Sequence, residues 1–141
     1  MNLSEYILEI NNHFSSILRM ISSSNNVTLE QGKLLLCIPY DGISMTDLSK
    51  ELGIDISTLT RNAQKLIDKN LIIKKNDDYD KRKIFIVLTN KGENLRELLE
   101  HSLDLFTNKL FDRINVKERE TIETTLENLN WHLSCIRNID S

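Results

Sequence analysis

With only four glycines and one proline, this chain has no glycine-rich phosphate-binding loop, and it carries neither a Gly-x-Ser-x-Gly nucleophile elbow nor a paired-histidine metal motif. Its three histidines, His13, His101 and His132, fall on three different predicted helices, each with a carboxylate or amide nearby in sequence. No close-spaced metal-ligand pair exists, so neither a metal nor a cofactor is expected. These absences argue against an enzyme. No apolar run approaches the roughly 20 residues that span a bilayer, and nothing resembles a signal peptide, so a cytoplasmic protein without a membrane partner is expected. Two cysteines in such a compartment are expected to be reduced. Cys37, inside LLLCIP, reads as a small buried hydrophobe, and Cys135 lies near the C-terminus, where an interchain disulfide is conceivable. A cysteine-based redox role is the minority alternative. Internal repeats are absent, and SSSNN at residues 22 to 26 reads as the first interhelical loop. A length of 141 residues with 40% hydrophobic content fits a single domain over 1–141.

What the chain does contain is concentrated between residues 44 and 92. In SMTDLSKELGIDISTLTRNAQKLIDKN, the apolar positions Leu48, Leu52, Ile54, Leu59 and Leu66 have the spacing of two short helices that share a core. Ser44 followed by Asp47 has the form of a capping box, Gly53 stands at the turn, and Asp55 or Ser57 can cap the second helix. That helix is predicted to run to about Lys69, with Asn70 in the left-handed conformation that ends it. Its outward face carries Ser57, Thr58, Thr60, Arg61, Gln64 and Lys65. These residue types suit a DNA major groove, because hydroxyls and amides bond base edges or phosphates while Arg and Lys reach guanine edges or neutralise phosphate.

A β-hairpin is predicted next, from Leu71, Ile72 and Ile73 and from Ile84 to Leu88, with KKNDDYDKRK as a charged tip. Lys81, Arg82 and Lys83 are candidate DNA contacts, with Arg82 favoured for a narrow minor groove of enhanced negative potential. Asp80 cannot itself bind phosphate; its expected role is to orient Arg82 through a charge-assisted hydrogen bond.

The residues TDLSKELGIDISTLTRNAQKL and DKRKIFIVLTNKG together resemble the MarR family of bacterial transcription regulators. Asp80 and Arg82 fall on the family's wing pair, and Leu88, Thr89 and Gly92 on the end of its strand signature, while Asn70 replaces the family's usual Gly. The resemblance implies a mainly α fold with a small β-hairpin, a winged helix-turn-helix over 28–92, and dimerisation helices over 1–22 and 93–138. It also implies a homodimeric repressor of double-stranded DNA and a cleft for small amphipathic anions as effector. Tyr6, His13 and Tyr40 are candidates for lining that cleft, although the ligand-binding residues stay open. The hydroperoxide-sensing branch of the family places a reactive cysteine near the start of the first helix, and this chain has none there.

The flanking segments support a dimer when read for themselves. Leu3, Ile7, Ile10, Phe14, Ile17 and Ile21 recur at alternating intervals of four and three, and residues 28 to 38 make a leucine-rich helix ended by Pro39 and Gly42. A long helix is predicted from Glu93 to about Arg113, lined by Leu95, Leu98, Leu99, Leu103, Phe106 and Leu110. After a break at Asn115, Ile122, Leu126, Leu129, Leu133 and Ile136 step by four and three. Such seams exceed what one small winged helix can bury, and a second copy of the chain is the expected partner. Charge follows the same division: ten Lys or Arg against seven Asp or Glu make residues 44 to 92 +3, which leaves −6 for the rest of a chain whose net charge is −3. A basic reading head on an acidic body binds phosphate with one part only. The alternative to a DNA-binding regulator is a winged helix that serves protein interaction and binds no DNA.

Overall fold

The computed structural model describes residues 1–139. Among them, six helices and three strands follow in the order α1 (Leu3–Ser24), α2 (Leu29–Cys37), β1 (Ile43–Ser44), α3 (Met45–Leu52), α4 (Ile56–Asp68), β2 (Ile72–Asn76), β3 (Ile84–Leu88), α5 (Asn90–Asp112) and α6 (Val116–Ile139). The chain divides into two compact units, Met1–Leu103 and a second from Asp104 onward, the boundary falling inside α5. No helix among the described residues is long and apolar enough to cross a membrane.

Local chemistry starts each helix of the first unit. Asn2 and Glu5 exchange hydrogen bonds at the head of α1, the Asn2 carboxamide oxygen accepting from the Glu5 N–H at 3.0 Å and the Glu5 carboxylate from the Asn2 N–H at 2.7 Å. Thr28 and Gln31 do the same for α2. Ser44 caps α3 by accepting from the Asp47 N–H at 3.1 Å, and Gly53 leaves that helix in the left-handed conformation at φ 66°. Asp55 rather than Ser57 caps α4, and Asn70, at φ 59°, turns the chain out of it as expected.

The first interhelical loop is shorter than expected. Helix α1 continues through Ser22, Ser23 and Ser24 before Asn25 and the left-handed Asn26 turn the chain. The reason is a close crossing: Ser22 is fully buried, and a Cβ on Gly32 would lie 2.2 Å from its Oγ. A serine helix end fits where the larger side chains of a normal seam would hold α2 away.

The wing also differs in detail from the predicted hairpin. Strand β2 extends through Lys74, Lys75 and Asn76, which pair with Ile86, Phe85 and Ile84, so the connecting loop shrinks to residues 77 to 83. Only Ile72 of that strand is buried, and lysines are well placed on such an edge because they deter further strand pairing. A third strand, absent from the sequence reading, completes the sheet in the order β1-β3-β2: Ile43 pairs with Ile86 and Ser44 with Phe85.

The core lies beneath this sheet and between α2, α3 and α4. Leu34, Leu35, Ile38, Leu48, Leu59, Leu66, Ile72, Ile86 and Leu99 are essentially inaccessible, and Ala63, Leu71 and Leu88 join the same cluster. Leu99 brings α5 onto it. Helix α5 starts at Asn90, three residues earlier than expected, because Thr89 organises the junction. The Thr89 hydroxyl donates to the Asn70 carbonyl at 2.6 Å and accepts from the Gly92 N–H at 3.0 Å, while the Thr89 N–H donates to the Leu71 carbonyl. A Cβ on residue 92 would stand 1.9 Å from that same Leu71 oxygen, so only glycine permits α5 to leave the sheet here.

Candidate nucleic-acid interface

The polar face of α4 is built from its N-terminus upward. Asp55 Oδ1 accepts from the Thr58 N–H at 2.7 Å and from the Ser57 hydroxyl at 2.6 Å. These bonds, first the Ser57 hydroxyl and then the Thr58 backbone, hold the fully exposed Asp55 carboxyl well down, at a pKa of about 2. The cap that fixes the helix start therefore also engages the hydroxyl of Ser57 and the backbone of Thr58. Thr60 is committed as well, its hydroxyl donating to the Ile56 carbonyl at 2.7 Å.

Further along the helix the side chains open outward. Thr58, Arg61, Gln64 and Lys65 line a shallow hollow of about 510 Å³ together with Asn62. The Arg61 guanidinium donates to the Thr58 hydroxyl at 3.4 Å, and the Gln64 amide donates to Asp68 at 2.9 Å. Asn62, which the sequence reading did not single out, lines the same hollow. Positions 58, 61, 62 and 65 step by three, one and three along a helix, which is one stripe, and that spacing was the available signal. An Asn there carries both a donor and an acceptor, the pair that reads an adenine edge.

The wing presents the second cluster. Asp80 Oδ1 accepts from both the backbone N–H and the Nε of Arg82, at 3.1 and 3.2 Å. The Arg82 side chain is 93% exposed while that of Asp80 is 37% exposed, so the carboxylate steadies the base of the guanidinium without covering it. Arg82 and Lys83 share a second hollow, of about 380 Å³, with Ile84, the α3 start at Ser44, Met45, Thr46 and Asp47, and Ile56 at the α4 start. The fold thus brings Arg82 and Lys83 beside the beginning of α4. Lys81 is exposed on the same loop, and neither hollow includes it, Ser57 or Thr60.

The far end of α4 is fastened from outside. Lys69 Nζ donates to the Asn26 carbonyl at 2.7 Å and to Gln31 Oε1 at 3.2 Å, and Lys91 Nζ donates to the Lys69 carbonyl at 2.9 Å. Helix α4 is therefore anchored to the α1–α2 turn at one end and capped by Asp55 at the other.

The residues considered for an effector do not gather. Tyr6 and His13 are exposed on α1, whereas Tyr40 lies against the guanidinium of Arg96, 4.7 Å from the ring centroid. Arg96 also bonds Glu100 at 2.9 Å and the Ile38 carbonyl. Cys37 is half-buried beside this group, and burial first, then the Glu51 carboxylate, push its thiol pKa up, the opposite of a reactive thiolate. Among the described residues no group of three or more His, Cys, Asp or Glu is placed to hold a metal ion.

Comparison with known proteins gives the geometry its relatives. Residues 27–84 match the model of the MarR family. The HTH-type transcriptional regulator TcaR of Staphylococcus aureus is 22% identical over 138 residues, covering 96% of this chain and 91% of that protein. A MarR protein from Peptoclostridium difficile superposes with a TM-score of 0.86 at 23% identity, over 100% of this chain and 93% of that one. A mutant MarR from E. coli, solved in complex with operator DNA, does so with a TM-score of 0.75 at 25% identity, over 90% of this chain and 92% of the other.

Proposed function

We propose that this chain, whose residues 27–84 match the MarR family model, is a MarR-family winged helix-turn-helix transcription regulator that acts as a homodimeric, cytoplasmic repressor on a pseudo-palindromic operator. The observation that carries the reading is the pairing of two polar clusters on one module: the stripe of Thr58, Arg61, Gln64 and Lys65 on α4, and Arg82 steadied by Asp80 beside the α4 start. In this reading α4 lies in the major groove, and Arg61 and Gln64 read bases there. Ser57, Thr58, Thr60 and Lys65 contact base edges or phosphates, and Lys81, Arg82 and Lys83 follow the adjacent backbone or minor groove. Residues 28–92 form the reading head, and 1–22 with 93–138 supply the dimer.

The dimer is supported by apolar surface. On α1, Leu3, Ile7 and Ile10 are 69%, 37% and 49% exposed, and on α6 Leu126, Leu133 and Ile136 are 52%, 45% and 57% exposed. Apolar seams left open at this spacing fit a second copy of the same helices. Twofold symmetry would set the two α4 helices about 34 Å apart, one turn of DNA. A small-molecule effector would act through unequal affinity for two spacings of the heads, a difference of a few kcal/mol being about enough to release an operator.

The deciding experiment is titration of the purified protein against the DNA upstream of its own gene, by fluorescence anisotropy at two salt concentrations, with a random duplex as control. Tight, salt-sensitive and sequence-preferring binding is expected. Arg82→Ala should weaken binding to both duplexes, whereas Arg61→Ala and Gln64→Ala should also relax base preference by about 1–3 kcal/mol per lost contact. Equal weak binding to both duplexes by the wild type would instead favour the protein-interaction reading. A redox role has the thiol environment of Cys37 against it, and a peroxide response that survives replacement of Cys37 and Cys135 by serine would remove it.

A further inference from the structure

The seven-residue wing tip is not an open, fluttering loop. The Asp77 N–H donates to the Lys83 carbonyl at 3.0 Å and the Lys83 N–H to the Asp80 carbonyl at 2.9 Å, which closes its neck. Within it, two aspartates perform the same turn twice. Asp77 Oδ1 accepts from the Tyr79 N–H at 3.2 Å, as Asp80 Oδ1 accepts from the Arg82 N–H at 3.1 Å. Each carboxylate is folded back on the chain two residues ahead, and both aspartates are only partly exposed. The side chains that follow are thrust outward instead: Tyr79 is 99% exposed and the Arg82 side chain 93%.

A ring held wholly in water gains nothing for the fold, since it buries no apolar area. It is nevertheless built onto the part of the wing that carries Arg82, by the same turn that presents Arg82. Tyrosine suits a DNA backbone in a way the neighbouring charges do not. Its hydroxyl donates to phosphate oxygen and its ring packs on sugar, without the counterion exchange that accompanies a lysine or arginine contact. Asp78, exposed beside it, puts a negative charge next to Tyr79, so the attraction of this end of the tip for phosphate cannot come from charge.

We propose that the wing reads DNA with two prongs, Arg82 by charge and Tyr79 by a neutral contact to the sugar-phosphate backbone. The inference rests on the DNA-binding reading above and names a contact that reading leaves out. The probe is a duplex enriched from a random pool by the wild-type protein, with the salt dependence of binding measured for wild type, Tyr79→Phe, Tyr79→Ala and Arg82→Ala. Tyr79→Ala should weaken binding about threefold per wing, about tenfold for a dimer, with Tyr79→Phe between it and wild type. The slope of log affinity against log salt should stay at the wild-type value for both Tyr79 variants, and should fall by about 0.9 per wing for Arg82→Ala. A Tyr79→Ala protein that binds like wild type overturns the second prong and leaves DNA binding intact. If wild type enriches no duplex, the DNA-binding reading itself has failed, and the second prong fails with it. A side chain this exposed can be replaced without unfolding the wing, so a loss of affinity reports the contact.

Discussion

The winged helix and the terminal helices are written in the same alphabet and end in opposite states. Leu34, Leu35, Ile38, Leu48, Leu59 and Leu66 recur at helical spacing and are at most 1% exposed. Ile7, Ile10, Leu126, Leu133 and Ile136 recur at the same spacing and stand between 37% and 57% exposed. Periodicity therefore announces that a face will be covered but not by whom. In the winged helix the cover is the sheet and the neighbouring helices of the same chain. On α1 and α6 the chain leaves apolar surface that we assign to a second copy, and that assignment makes the contrast testable.

The largest effect should come from the closed region. Leu35→Ala removes a fully buried side chain at the centre of the core and is expected to cost about 2–5 kcal/mol by chemical denaturation. Gly92→Ala should follow, near the top of the about 1–3 kcal/mol range for overpacking, because the clashing atom is the Leu71 carbonyl oxygen, a backbone group that cannot swing aside. A Gly92→Ala protein as stable as wild type would show that the α5 junction has slack. In the open region the same chemistry should read out differently. Leu126→Glu with Leu133→Glu is expected to shift sedimentation from dimer to monomer while leaving the winged-helix core folded, with amide protection retained at Leu59 and Leu66. A double variant that still sediments as a dimer would take α6 out of the interface.

The smallest effect concerns the cap of α4. Asp55 is held at about 2 against an ordinary aspartate value of 3.8. A carboxyl depressed in the folded state stabilises it above pH 3.8, and that contribution is lost as pH falls through about 2. A carbon-detected titration of Asp55 should show its midpoint near the lower value. A midpoint at 3.8 would mean that the Ser57 and Thr58 bonds do not hold it.

Legibility followed the reach of each signal. Caps and left-handed turns act over three or four residues, so Ser44, Asp55, Gly53 and Asn70 declared α3 and α4 from sequence. Strand β1 did not declare itself, because two residues carry no periodicity and their pairing partners lie at Phe85 and Ile86. The extension of β2 was hidden by its lysines, which read as loop and serve as an edge. The serines at 22 to 24 looked like a linker because their burial depends on Gly32, on another helix. On the polar face of α4, the stripe was recognisable by residue type, whereas the place of Asn62 in it needed the helical spacing to be applied strictly. The Arg82–Asp80 contact was foreseeable because its partners are two residues apart; the outward setting of Tyr79 depended on a turn made by Asp77 that composition alone does not distinguish from solvated charge.

The two-residue strand β1 has a consequence for how the reading head comes apart. By joining Ile43 to Ile86, it clasps the ends of a segment that contains α3, α4 and β2. Opening that clasp releases the edge of the sheet and the start of α3 together, since Ser44 is at once a strand residue and the cap of that helix. A frayed wing beside an intact helix-turn-helix is accordingly a poor intermediate, and the head should melt as one cooperative unit.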